Sequence, residues 1–418
     1  MKQLIIKWRN KLDFIIYGIK IEKINPYFMV INFIILGYAL FQYEQFTKEK
    51  NVLILLILIF INIIWQFIST IQDCYQYLKK TGYYYSSSNK TSSKFRLDEE
   101  IANKYVMMEI PILGSTIIYN PSINNILINN KIIHPIISKK KAQNVKKYIK
   151  TYCDITIHFL NWKWHEVKNH NGSFYNEKKL CMASEIEQNP ENDYFVLVNE
   201  GCYYNSYLTN NIYNMRMSNQ KGFYIAPLLN SRNYPIQDLS ASYMSDHIGV
   251  STIAVSNDGY SIILRHNNKT AISSDKLLPS GSGSMNYSDL QKNEDFRTSI
   301  IKAAERELCE ETHIPLNVIQ KTQIIGFYRD LNRGGKPEFC CITNLSCNKY
   351  DIRETISPDN SEQRDDFKII QTYNDNRFTP VAIEAIFYKN PNEFSLALYM
   401  NYFMLYKYHQ IDFSLLKK

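Results

Sequence analysis

The stretch Glu305–Ile314 constrains the fold of this chain more than any other. It reads Glu-Arg-Glu-Leu-Cys-Glu-Glu-Thr-His-Ile. Spacings of three and four residues place Glu307, Glu310 and Glu311 on one face of a helix. Nearby apolar residues give that helix a surface to bury: Ala303, Ala304 and Leu308. The pattern therefore predicts a helix with one acidic face and one buried face.

An acidic face of this kind has two readings. Carboxylates on one face repel each other, and hard oxygen ligands suit Mg²⁺ or Mn²⁺, so Glu307, Glu310 and Glu311 are predicted metal ligands. The commoner outcome for an acidic cluster is a solvated surface. The neighbouring Arg306 and the order of residue types favour the metal site.

Arg306–Ile314 resembles the Nudix box, whose core reads Arg-Glu-hydrophobic-x-Glu-Glu-x-Gly-hydrophobic. His313 stands where that family has glycine, the residue that best tolerates the left-handed turn ending a helix. Gly259–His266 is similar to the Nudix strand that ends in a basic residue. Leu277–Gly283 is similar to the family's Leu-Pro-Gly-Gly turn, although the segment from there to Arg306 carries an insertion.

The resemblance implies an α/β/α sandwich in which the three glutamates are catalytic as well as metal-binding. It implies a structural role for Arg306, which would orient the loop through a carboxylate, with Glu294 or Asp295 as candidate partners. Ligand-binding residues are expected in the strand, the turn and a later strand: Arg265, Gly281, Gly283 and Arg329. An arginine matches the geometry of a phosphate bidentately. The substrate implied is a nucleoside diphosphate linked to another moiety.

Two apolar runs near the amino terminus predict a two-helix transmembrane hairpin. Tyr27–Tyr43 and Val52–Ile71 are near the length that crosses the hydrocarbon core, and the short Glu44–Asn51 joins them. Buried core helices are the alternative, more strongly for the first run. Basic flanks on both sides place both termini in the cytoplasm of a bacterial cell, with the chain multi-pass in the inner membrane. No removable signal peptide is expected.

Leu4–Ile24 mixes apolar and basic residues, which suits a helix lying in the interface of a lipid bilayer. A helix packed on the protein body is the alternative, and the interface is favoured. The net charge of +8 is concentrated near the amino terminus and in Lys139–Lys150. Solvation is the simplest reading of that lysine cluster, with nucleotide phosphates, a membrane or nucleic acid as alternatives. No nucleic-acid module is visible, and nucleic acid is not an expected partner.

The chain divides into an interfacial segment (1–26), the hairpin (27–71, with spans 27–43 and 52–71), a linker (72–101), a strand-rich cytoplasmic region (102–245) and a Nudix-like domain (246–418). A helix is predicted at Ser138–Tyr152, a hairpin turn at Asn257–Gly259 and the acidic helix at Phe296–Thr312. Strands and a last helix are also predicted: Val106–Ile112, Ser115–Tyr119, Ile126–Ile128, Ile155–Leu160, Tyr194–Val198, Gln323–Asp330, Glu338–Asn344 and a helix from Glu393 or Phe394 to Tyr408.

A two-helix hairpin joined to a divergent Nudix domain resembles the SMODS-associated Nudix proteins. These are predicted effectors of bacterial cyclic-oligonucleotide-based antiphage signalling (CBASS). The resemblance implies a cyclic or other nucleotide ligand, a homo-oligomer and disruption of the membrane by the hairpins. Two other readings compete with it: a membrane-tethered metal-dependent Nudix hydrolase of ordinary metabolism, and an inactive scaffold.

Overall fold

The structure is a computed structural model of the 418-residue chain. It describes residues 2–21, 83–87, 95–169, 174–213, 215–219, 224–225, 235–266, 276–291, 293–355, 364–371, 373–374, 377–378 and 393–408. It also describes scattered residues between 34 and 72.

Helices and strands alternate through the first part of the chain. They are α1 (Lys2–Ile21), β1 (Tyr83–Ser87), α2 (Glu99–Ala102), β2 (Val106–Ile110), β3 (Ser115–Tyr119), α3 (Pro121–Ile128), β4 (Ile133–Ile137), α4 (Lys140–Asn169), β5 (Lys178–Met182), β6 (Glu187–Gln188), β7 (Tyr194–Cys202), α5 (Tyr203–Leu208), β8 (Met215–Asn219) and β9 (Tyr224–Ile225).

The later part of the chain carries the acidic helix. Its elements are β10 (Gly249–Val255), β11 (Tyr260–His266), β12 (Leu277–Leu278), β13 (Gly281–Ser284), α6 (Phe296–Thr312), β14 (Ile319–Asp330), β15 (Lys336–Leu345), α7 (Lys349–Thr355), β16 (Arg364–Gln371), β17 (Tyr373–Asn374), β18 (Arg377–Phe378) and α8 (Leu396–Tyr408).

A nine-stranded mixed sheet forms the centre of the molecule, in the order β12-β11-β10-β15-β14-β3-β2, with β13 on β10 and β16 on β11. β10 and β15 run parallel, and β14 is antiparallel to both β15 and β3. β14 contains a bulge between Ile324 and Gly326, and its side chains pack on both faces of the sheet. Ile324 and Phe327 lie in the cluster that holds the apolar face of α6, and Ile325 and Tyr328 lie in the cluster that holds α8. The chain is therefore a mixed α/β protein, with α6 and α8 on opposite faces of this sheet.

A second sheet of four strands joins the first through β5. Its order is β4-β7-β5, and β6 also pairs with β7. The N–H of Leu180 donates to the carbonyl of Met285, 3.0 Å away, and the N–H of Ile248 donates to the carbonyl of Leu180 at 2.9 Å. β5 therefore connects the two sheets by backbone hydrogen bonds. We call this junction the seam, defined by Lys179–Cys181, Asp246–Gly249 and Met285–Asn286.

The first helix packs on the protein body. Phe14 is fully buried, and its ring stacks on Trp164 of α4 with centroids 5.2 Å apart. The hydroxyl of Tyr17 donates to Oδ1 of Asn205 in α5 at 2.6 Å. This is the alternative that the sequence offered for Leu4–Ile24, and these contacts account for Phe14 and Tyr17.

The predicted transmembrane hairpin needs correction. Among the residues that the structure describes, no helix combines the length and the apolar character needed to cross a membrane. This finding contradicts the hairpin and the multi-pass inner-membrane location derived from it. Most of 27–43 and 52–71 lies outside the described residues. The physical reason is that a span requires about 20 continuous helical residues, whereas an apolar composition alone does not establish a continuous helix.

The lysine cluster Lys139–Lys150 divides into exposed and buried members. Its exposed members are Lys139, Lys140, Lys146, Lys147 and Lys150, as solvation predicts. Lys141 is buried, and its ammonium lies 2.9 Å from Oδ2 of Asp246. This ion pair thus holds the start of α4 against the seam.

Several predicted elements are confirmed and two are wrong. The acidic helix and the strand Ser115–Tyr119 have the predicted bounds. The predicted strands Ile126–Ile128 and Ile155–Leu160 lie instead in α3 and α4. The side chain of Asn120 caps α3 by accepting from the N–H groups of Ser122 and Ile123. In α4, the buried side chains of Ile157 and Leu160 are three residues apart, which is a helical spacing.

Candidate functional site

Both ends of the acidic helix α6 are fixed by local sequence. Asp295 is its N-cap, accepting from the N–H of Arg297 at 3.1 Å, and the same oxygen accepts from the N–H of Ile133 at 3.0 Å. At the other end His313 adopts the left-handed conformation, with φ of 59°, and its N–H donates to the carbonyl of Cys309. Histidine here performs the turn for which the Nudix family uses glycine.

Asp289 is the carboxylate partner of Arg306. The guanidinium donates twice, from Nε to Oδ1 at 3.1 Å and from Nη2 to Oδ2 at 2.9 Å. Asp289 is held in turn by a capping box, in which its Oδ2 also accepts from the N–H of Asn286. Among the candidates, Glu294 is exposed and Asp295 is used as the helix cap. The Asn-x-x-Asp spacing at Asn286 was the signal in the sequence that could have identified Asp289.

Arg306 also lies between two of the predicted metal ligands. Its Nη1 is 2.9 Å from Oε1 of Glu307 and 3.1 Å from Oε2 of Glu310. Burial opposes the charge of Arg306, but the hydrogen bond to Asp289 and the charges of Glu307 and Glu310 outweigh it and raise its pKa. Burial also raises the pKa of Glu307, and the charges of Arg306 and Lys179 oppose that shift. Arg306 therefore forms ion pairs with three carboxylates, those of Asp289, Glu307 and Glu310.

The two glycines of β13 allow the strand to run against α6. A Cβ on Gly281 would overlap the backbone of Leu308, and a Cβ on Gly283 would overlap the carboxylate of Glu307. Between them the N–H of Ser282 donates to Oε2 of Glu311 at 3.1 Å. The structure thus brings Gly281, Gly283, Glu307 and Glu311 together, as the Nudix resemblance implies for the turn and the box.

The chemistry of the three glutamates suits a metal ion, but their arrangement in the structure does not. Carboxylate oxygens are the ligands that Mg²⁺ and Mn²⁺ prefer. In the part of the chain that the structure describes, however, no group of three acidic, histidine or cysteine side chains is arranged to hold an ion. Glu307 and Glu310 converge on Arg306 instead. Metal binding by Glu307, Glu310 and Glu311 stays a prediction, and Arg306 is the group that an ion would have to displace.

The two arginines predicted to meet a phosphate lie elsewhere. Arg265 pairs with Glu393, 2.5 Å away, and remains partly exposed. Arg329 has no exposed surface; it pairs with Glu185 at 2.9 Å and donates to the backbone carbonyls of Gln237 and Gly335. All of its guanidinium nitrogens are therefore engaged within the protein.

A cationic group lies at the seam beside the acidic helix. Lys179 reaches Oδ1 of Asn286 at 2.7 Å and Oε2 of Glu177 at 2.7 Å, and its charge acts on Glu307. Arg333 and Lys336 both pair with Oε1 of Glu338. Lys179 is far from Arg333 and Lys336 in the sequence, and no spacing there indicates that the three lie near one another.

Comparison with known proteins gives little further. No protein-family model matches this chain, and no curated protein matches it. Among solved structures, the chain is similar to the crystal structure of DR0079 from Deinococcus radiodurans, with 14% sequence identity, a TM-score of 0.24, and coverage of 35% of this chain and 79% of that one. A likeness this weak carries no argument about function.

Proposed function

We propose that this chain is a receptor that binds a nucleotide at the face formed by β13 and α6. The observation that supports this most is the clamp between Arg306 and Asp289. It holds α6 so that Glu307 and Glu311 lie against the glycine-bearing strand. These are the roles that a Nudix resemblance assigns to the arginine, the glycines and the glutamates, and a Nudix-type site takes a nucleoside diphosphate derivative.

Binding without cleavage is the form of the proposal that the charges favour. Arg306 bridges Glu307 and Glu310, so a large part of the negative charge that would attract a divalent ion is already balanced. The insertion before α6 supplies Asp289, which pairs with Arg306. It does not add a glutamate to the three predicted metal ligands on α6. The ligand would then be a signal, such as a cyclic nucleotide of the antiphage type, and not a substrate.

A metal-dependent Nudix hydrolase is the second candidate. The observation in its favour is that Glu311 accepts from the N–H of Ser282, which places a further carboxylate beside the glycine-bearing strand β13. Membrane disruption is not part of either candidate, because it depended on the hairpin. Assembly into a homo-oligomer stays a prediction.

The two candidates differ in what happens to the nucleotide. The full-length chain is titrated with cyclic dinucleotides and with ADP-ribose, in Mn²⁺ and separately in EDTA, and the recovered nucleotide is examined by chromatography. We expect binding that persists in EDTA, with the nucleotide recovered intact. Steady product formation that requires Mn²⁺ would establish the hydrolase if Glu310→Gln abolishes it. The control is Glu305→Gln, five residues earlier on the same helix, which should keep it. Absence of both binding and turnover would overturn both candidates.

A further inference from the structure

We propose that the seam contains an anion pocket, formed around His247 by Lys179, Arg333 and Lys336, that takes a phosphate group of the bound nucleotide. The pocket is distinct from the carboxylates of α6. The inference rests on the proposed function in one respect, namely that the phosphate belongs to a nucleotide.

His247 is the observation that indicates a missing ligand. It is fully buried, and neither Nδ1 nor Nε2 has a hydrogen-bond partner among the residues that the structure describes. A neutral imidazole has one donor and one acceptor, and leaving both unsatisfied in the interior costs free energy. Its neighbours in the chain are well anchored, since the N–H of Ile248 donates to Leu180 and the N–H of Met182 donates to Asp246. The backbone around the ring is therefore held in place, while the ring nitrogens have no hydrogen-bond partner among the described residues.

The charges that act on His247 are all positive. Burial lowers its pKa, and Lys336, Arg333 and Lys179 lower it further, in that order. The imidazole is consequently neutral at neutral pH and carries one N–H that can donate to an anion. Lys336 and Arg333 share the carboxylate of Glu338, with Arg333 Nη1 at 3.3 Å, and the carboxylate of Asp330 also acts on both.

The backbone pairing brings His247 and Gly249 beside β5, β13 and β15. Gly249 pairs with Glu338 of β15 and with Ser284 of β13, and His247 forms an isolated bridge with Cys181. Residues two apart on a strand point to the same side, so His247 and Gly249 share it. A Cβ on Gly249 would overlap the carboxylate of Glu338 and crowd the ammonium of Lys336. Glycine at this position therefore makes room for the two charged side chains.

A phosphate suits this arrangement better than a neutral ligand does. Its oxygens accept from ammonium, guanidinium and imidazole N–H groups together. Tyr203 lies next to the histidine, with ring centroids 6.1 Å apart, and Lys179 stands 5.6 Å above the same ring. Aromatic and cationic groups in one pocket are a common combination for phosphorylated aromatic ligands such as nucleotides.

The test uses the full-length chain in EDTA, so that no metal-bound anion contributes. Inorganic phosphate, AMP and phosphate-free adenosine are titrated by calorimetry, while the imidazole signals are followed by NMR, with His247→Gln assigning the signal. We expect phosphate and AMP to bind and to raise the pKa of His247, since a nearby anion favours the imidazolium. Tighter binding of AMP than of phosphate identifies a nucleotide as the source, and equal binding identifies free phosphate.

Variants locate the pocket. Arg333→Gln and Lys336→Gln are expected to weaken AMP binding by about tenfold or more each, as loss of a charged hydrogen bond predicts. Lys178→Gln, whose exposed side chain neighbours Lys179 in sequence, is the matched control and is expected to leave affinity unchanged. Failure of wild-type protein to bind phosphate or AMP would overturn the pocket. So would binding that leaves the His247 signal unmoved and survives both substitutions. Binding of phosphate at His247 without any nucleotide binding would keep the pocket and overturn the receptor.

Discussion

Arg265 and Arg329 demonstrate at the scale of single residues that burial decides what an arginine can do. Arg329 is buried, and its guanidinium donates to Glu185 and to two backbone carbonyls. Burial opposes its charge, but Glu185, Tyr105, Asp246 and Asp238 together outweigh burial and raise its pKa. Arg265 pairs with Glu393 and keeps contact with solvent. The first arginine is a structural ion pair, and the second is a surface pair.

Stability should separate these two arginines. Arg329→Gln leaves Glu185 buried without its cation, so we expect it to lower the free energy of unfolding by about 3–5 kcal/mol. Arg265→Gln, the matched control, should cost less than about 1 kcal/mol, because exposed pairs contribute little. Urea denaturation of the full-length chain measures both values. Equal losses for the two variants would contradict this assignment.

Local sequence predicted some residue roles and not others. The left-handed turn at His313 followed from its position at the end of a patterned helix. The burial of Arg329 did not, because Glu185 and Gln237 reach it from distant segments. Similarly, Asp289 is close to Arg306 only because the insertion folds back as a short turn.

At the scale of elements, contacts from other segments hold the acidic helix in position. Its apolar face is buried in the core, its N-cap also binds β4, and Arg306 ties it to the Asn286–Asp289 turn. The orientation of the glutamates relative to β13 therefore depends on the arginine clamp as well as on packing.

Removing the charge of Asp289 tests that lock. Asp289→Asn keeps shape but loses a charge-assisted pair, so we expect a loss of about 1.5–3 kcal/mol in unfolding free energy. Glu294→Gln is the control, since Glu294 is exposed and was the other acidic candidate in this loop. Its stability should stay within about 0.5 kcal/mol of the parent protein. A destabilised Glu294→Gln together with a neutral Asp289→Asn would show that the clamp is misassigned.

Element prediction succeeded where several local signals agreed. The acidic and apolar pattern indicated Phe296–Thr312, and the structure adds the Asp295 cap and the His313 turn that fix its ends. Ile126–Ile128 and Ile155–Leu160 are short apolar runs, and periodicity alone does not tell a strand from a buried helix over so few residues. Tertiary packing decided both in favour of helix.

At the scale of the whole molecule, the seam is the place where β5 connects the nine-stranded sheet to the four-stranded sheet. The predicted boundary at residue 245 falls within this junction, and β2 and β3 pair into the sheet that carries α6. Parallel and long-range pairings of this kind are not visible in a single sequence. The transmembrane hairpin was inferred from hydropathy, which reports composition and not the formation of a continuous helix.

The central claim is that a nucleotide phosphate is held by the cations at the seam, and the pH dependence of AMP affinity tests it most directly. Burial lowers the pKa of Lys336 to about 8, although Glu338 opposes the shift, and Arg333 and Asp330 are the other charged groups acting on it. His247 is neutral throughout, and the phosphate of AMP, with a second pKa of about 6, keeps its charge above pH 7.

An anion favours protonated Lys336, so the affinity measured in EDTA should fall as pH rises from 7 through 8 to 9.5. The affinity of Lys336→Gln should be weaker and flat over that range. An affinity that is independent of pH in the wild-type chain, or that falls equally in Lys336→Gln, would contradict the account.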